Sequence, residues 1–83
     1  KLNKDFEKKI YSSKKNVELV LAKIYDIDDE DIQKEYMSAF KGVVYLYDEI
    51  KDDYDQQGYS DNSEELLTNY ENAFNLFESE YEI

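Results

Sequence analysis

The chain has 83 residues and a formal net charge of −11, and it contains no cysteine, histidine, arginine, tryptophan or proline. That inventory excludes disulfide staples, thiol or imidazole nucleophile–base pairs and the arginine clamps of phosphoryl transfer. The length is enough for one domain, which hides roughly 60% of its unfolded-chain surface.

Hydrophobic residues make up 41% and aromatics 16%, so a core is within reach despite the charge. Glycine occurs only at Gly42 and Gly58. All-β domains of this size need more turn residues, so the composition favours long helices joined by few links. The longest apolar runs, Leu19 to Ala22 and Val43 to Tyr47, fall far short of the ~20 residues of a membrane span. Lys1 in place of an initiator methionine leaves room for a processed upstream segment. The compartment is therefore open: cytoplasmic, or secreted or surface-anchored.

Charge is segregated. Residues 1–23 carry seven lysines against Asp5, Glu7 and Glu18, whereas residues 24–83 carry three lysines against eighteen acids. The basic stretch can offset repulsion inside the fold, and the acidic remainder can steer toward a basic partner. Phosphate-bearing nucleic acid is repelled by such a surface, so direct nucleic-acid binding is not expected.

In chain order, the first helix is expected over about 3–25. Leu2, Phe6, Ile10, Val17, Val20, Leu21 and Ile24 recur at spacings of mostly three or four, with Ser13 in the one gap. Asn3 is placed to cap it. The second helix is expected over about 29–57, after an acidic stretch in which Asp28 or Asp29 can cap the N-terminus. Its stripe is Ile32, Tyr36, Phe40, Val43, Tyr47, Ile50 and Tyr54, and Gly58 is the left-handed stop. The third is expected over about 62–81, with Asp61 and Glu64 as a capping-box-like pair and Leu66, Leu67, Tyr70, Phe74, Phe77 and Tyr81 as its stripe. Two short links force antiparallel neighbours, so the expectation is a single all-α domain: an elongated up-down-up three-helix bundle. Its core tyrosines are expected at the bundle edge, with hydroxyls reaching water.

Residues 53–64 resemble an EF-hand calcium loop: Asp53, Asp55, Asp61 and Glu64 fall at loop positions 1, 3, 9 and 12, and Gly58 at position 6. The resemblance implies that these four acids, with the Tyr59 carbonyl, would hold the ion. Gln57 at position 5 and Ser60 at position 8 depart from the pattern. The competing reading is an acidic helix end, a glycine stop and a new cap, with no metal and no cofactor. Paired carboxylates able to hydrolyse glycosides would need a water-excluding cleft, which a bundle this small rarely forms. No enzymatic role is expected.

Projection at 100° per residue leaves Met37 and Tyr45 on the back of the second helix, in company with Asp48 and Asp52 and with Lys41 between them. Leu19, Tyr11 and Leu76 are likewise off-stripe. Tyrosine is a favoured interface anchor, so Met37, Tyr45, Asp48, Asp52 and Tyr59 are the candidate partner-binding residues. The expected function is a non-enzymatic, inhibitor- or immunity-type domain docking a basic protein surface, as monomer or homodimer. The alternatives are a structural or adhesive helical domain, a DNA mimic and a calcium module.

Overall fold

The computed structural model describes all of residues 1–83 and consists of three helices: α1 (Lys4–Tyr25), α2 (Glu30–Gln57) and α3 (Ser63–Glu80). They form an all-α three-helix bundle, a rod with extents of 45 × 18 × 17 Å.

Each helix starts where the sequence supplies a reason. The Asn3 side chain accepts from the Phe6 N–H at 3.0 Å and opens α1. Asp29 Oδ1 accepts from the N–H groups of Asp31 and Ile32 and opens α2, with Glu30 and Asp31 in the positive first turn. α3 differs from expectation. Its N-cap is Asn62 without a side-chain bond, and Asp61 caps nothing. Instead the buried Ser63 Oγ accepts from the Ser60 N–H and ties off the link.

The two links are closed by contacts from outside themselves. Gln33 Nε2 donates to the Ile24 and Tyr25 carbonyls, satisfying the end of α1 from the next helix. Gly58 ends α2 at φ 70°, ψ −159°, a conformation open to little besides glycine. A Cβ there would run into the Lys1 backbone, because Lys1 lies along this link and its carbonyl accepts from the Tyr59 N–H at 2.7 Å.

The core is the sum of the three stripes. Phe6, Val17, Val20 and Ile24 of α1 meet Phe40, Val43, Tyr47 and Ile50 of α2, and Leu67, Tyr70 and Phe77 of α3. Aromatic rings stitch α2 to α3: the Phe40 ring centroid lies 4.8 Å from that of Phe77 and 6.1 Å from that of Phe74, and those of Tyr47 and Tyr70 are 6.3 Å apart. Tyr81, just past α3, stacks on Phe77 and meets Tyr36 edge-on. α2 lies close to both neighbours, whereas no Cα of α1 comes within 8 Å of a Cα of α3. Side chains bridge that gap. Tyr70 donates to the Ser13 carbonyl, and Lys9 pairs with Glu64 at 4.0 Å.

Three expectations need correction. Leu2 and Ile32 are exposed, because each stands at a rod end with no neighbour opposite. Tyr70 is interior rather than at the rim: it is 3% exposed and its hydroxyl bonds to protein, not water. Tyr54 does stand at the edge, where its hydroxyl accepts from the Asn3 N–H and donates to the exposed Glu7 carboxylate.

Candidate functional site

The outer groove between α1 and α2 gathers most of the candidates. It has a volume of ≈490 Å³ and is lined by Leu21, Tyr25, Met37, Lys41, Val44, Tyr45 and Asp48. Met37, Lys41, Val44, Tyr45 and Asp48 recur at three- and four-residue spacings, so they form one side of α2. Leu21 and Tyr25, one turn apart, supply the opposite wall from α1. Tyr25 and Tyr45 are 69% and 67% exposed, so two rings stand open to solvent with their apolar faces available. Met37, Val44 and Leu21 form the half-buried floor and pack on the core. Met37 is therefore less free than its off-stripe position implied.

Asp48 is exposed at the rim, and Asp52 lies one turn further along α2, outside the groove lining. Lys41 is also exposed and brings a positive charge between the two tyrosines. Tyr59 does not join this set. It belongs to the α2–α3 link, where its ring meets Phe6 edge-on at 5.2 Å and its hydroxyl donates to Glu64 at 2.8 Å. The sequence reading missed Leu21, Tyr25 and Val44. By periodicity Leu21 falls in the core stripe and Tyr25 falls at the helix end. Only the rotation of α1 against α2 brings them together.

The acids of the EF-hand-like stretch do not converge. Asp53 and Asp55 lie within the last turns of α2, whose backbone bonds forbid the wrap of a calcium loop. Glu64 is engaged by Tyr59 on the other side of Gly58. No group of three or more acidic side chains is placed to hold a metal ion. One Asp53 oxygen is buried without a hydrogen-bond partner.

Two other depressions flank the rod. The α1–α3 groove, ≈620 Å³, is polar, with Lys8, Lys9, Ser12, Asn16, Asn72, Asn75 and Glu78 around the Tyr70 edge. The α2–α3 groove, ≈340 Å³, is shallow and lined by Ala39, Gly42, Leu46, Ala73 and Leu76.

The shifted acidities all belong to tyrosines, and all are upward. Burial pushes Tyr70 up to about 12. Burial, then the charges of Asp48, Glu18 and Asp55, raises Tyr47. Donation to Glu7 raises Tyr54, and donation to Glu64 raises Tyr59. None of the four is poised to exchange a proton near neutrality.

No protein-family model matches the chain, and comparison with curated proteins and with solved structures gives no match. No helix is long and apolar enough to cross a membrane.

Proposed function

We propose that the chain is a non-enzymatic protein-binding domain whose α1/α2 face docks the basic surface of a partner protein, in the manner of an inhibitor or immunity protein. The observation that supports this most is the convergence of Tyr25, Met37, Val44 and Tyr45, from two helices, in one groove rimmed by Asp48. Exposed aromatics over an aliphatic floor are the usual energetic anchors of an interface, and flanking carboxylates add selectivity and on-rate. Asp52, one turn along, extends the rim. The net charge of −11 adds long-range attraction toward a cationic surface.

A photo-crosslinking amino acid in place of Tyr45 tests the reading in the cells that make the protein. Adducts to one basic protein, mapped to a defined surface and abolished by Tyr25→Ala, support it. Absence of any adduct at position 45 counts against the face as a binding surface.

A duplex-mimic is the second reading, favoured by the narrow rod with eighteen acids in residues 24–83. It requires a partner that DNA displaces, and it confines the mimicry to the α2–α3 side, since α1 is basic.

A further inference from the structure

Gly42 stands in the middle of α2, where glycine weakens a helix, and the fold gives no internal reason for it. Its φ is not positive, and a Cβ built there would meet nothing within 4 Å. The bare backbone faces outward into the groove between α2 and α3. Ala39 and Leu46 continue the α2 wall of this groove, and Ala73, Leu76 and Tyr81 belong to the other. Leu76 is 59% exposed, so the apolar channel is open to solvent.

The charges along it are all negative. Glu35 and Glu49 lie seven residues before and after Gly42, hence in line with it and two turns away on either side. Glu80 lines the channel at the Glu35 end, where Tyr81 meets Tyr36. Glu65 stands at the Glu49 end, beyond the Tyr47–Tyr70 pair. All four carboxylates are exposed and none is paired, since the two ion pairs are Lys9–Glu64 and Lys34–Glu30. α3 has no lysine, and Lys34, Lys41 and Lys51 of α2 stand about 80° or more round the helix from Gly42, on the side away from α3.

We propose that the α2–α3 channel takes an amphipathic helix of a partner protein, with small or aliphatic residues along the contact and cationic side chains beyond each end of it. A channel between two antiparallel helices fits a third rod, and bare backbone at the contact lets the axes approach to about 8 Å. Glu35 and Glu49 are fourteen residues apart, or about 21 Å, so the cations of the incoming helix are separated by about four turns. Their carboxylates set its position along the rod, and the apolar contact between them supplies the affinity. The channel lies on a different side of α2 from the α1/α2 face, and the inference stands independently of that face.

NMR titration of the full chain with a synthetic helical peptide of about twenty residues tests it. The peptide carries alanine and leucine along one face and lysines at both ends. Physiological ionic strength is used, because a Debye length of about 8 Å screens the net charge more than contact pairs. The signals of Gly42, Leu46, Ala73 and Leu76 are expected to move together, and a peptide with glutamate in place of lysine is expected to leave them still. Gly42→Gln fills the channel without touching the core. It is expected to melt no lower than the parent and to bind the peptide about tenfold more weakly. Tyr45→Ala is expected to bind it as the parent does. Shifts spread over the whole acidic surface overturn the proposal, as does a Gly42→Gln protein that binds undiminished, or no binding at millimolar peptide. If Gly42→Gln melts well below the parent, the glycine serves packing inside the fold and the proposal falls. Signals that move with the concentration of the chain itself, without peptide, name a second copy as the occupant and overturn it as well.

Discussion

The Tyr70 hydroxyl donates to the Ser13 carbonyl at 3.3 Å, joining α3 to α1 across the side of the bundle where their backbones stay apart. Ser13 permits it by being small. Its own hydroxyl turns back to the Lys9 carbonyl at 2.9 Å, so the one polar gap in the α1 stripe is internally satisfied. Tyr70 fills the space that a larger α1 residue would have taken.

Removing the hydroxyl by Tyr70→Phe leaves a buried carbonyl unpaired and is expected to cost about 1 kcal/mol near neutral pH. The dependence on pH has a definite sign. A phenol held at about 12 in the fold, against about 10 when unfolded, keeps its proton longer in the folded state. Its stabilisation is complete below pH 10 and drains away as pH rises toward 12, where the unfolded chain ionises first. Tyr47, Tyr54 and Tyr59 shift the same way and steepen the loss. Melting curves of the two proteins between pH 7 and about 11.5 are expected to converge as pH rises. Parallel curves would contradict the burial of this hydroxyl.

Phe40 and Tyr45 test the facing of α2. Phe40 is fully buried against Phe74 and Phe77, so Phe40→Ala is expected to cost about 3–5 kcal/mol, enough to unfold a domain of this size. Tyr45→Ala, at an exposed position, is expected within about 0.5 kcal/mol of the parent while removing an anchor of the groove. Denaturant titration of both variants decides it.

The two glycines should respond oppositely to alanine. At Gly42, mid-helix with open space around the would-be Cβ, alanine is expected to stabilise by about 0.5–1 kcal/mol. At Gly58 the positive φ and the Lys1 backbone both oppose it, and a loss of about 1–3 kcal/mol is expected. Thermal melts of the pair would show the contrast directly.

Added salt should raise the melting temperature. Fewer than half as many lysines as acids, and two exposed ion pairs, leave α2 and α3 repelling themselves. Sodium chloride screens that repulsion and weakens little in exchange, because exposed pairs contribute about 0–1 kcal/mol. A melt that falls with salt would show that attractive pairs dominate.

Much of this architecture was legible in the sequence because helical period is a local property. Phe40, Val43, Tyr47 and Ile50 announce one face of α2 without knowledge of its neighbours, and Asn3, Asp29 and Gly58 mark ends through their own side chains or lack of one. What was not legible depends on how helices are rotated against each other. Nothing in the pattern shows that Ser13 makes room for Tyr70, or that Leu21 and Tyr25 share a groove with Met37 and Tyr45. The start of α3 was misread for a related reason: Asp61 and Glu64 have capping spacing, but Ser63 and Tyr59 claim the local bonds first.

With α1 and α3 each docked on α2 and their backbones apart, α2 is the spine and the outer helices are two leaves hinged on it. The α3 leaf is zipped to the spine by several aromatic pairs, and the α1 leaf by aliphatic side chains, the single ring pair Phe6–Tyr54 and the clasps at Tyr54 and Gln33. Partial opening of the molecule is therefore expected to begin with α1 swinging free, while α2 and α3 persist as a hairpin.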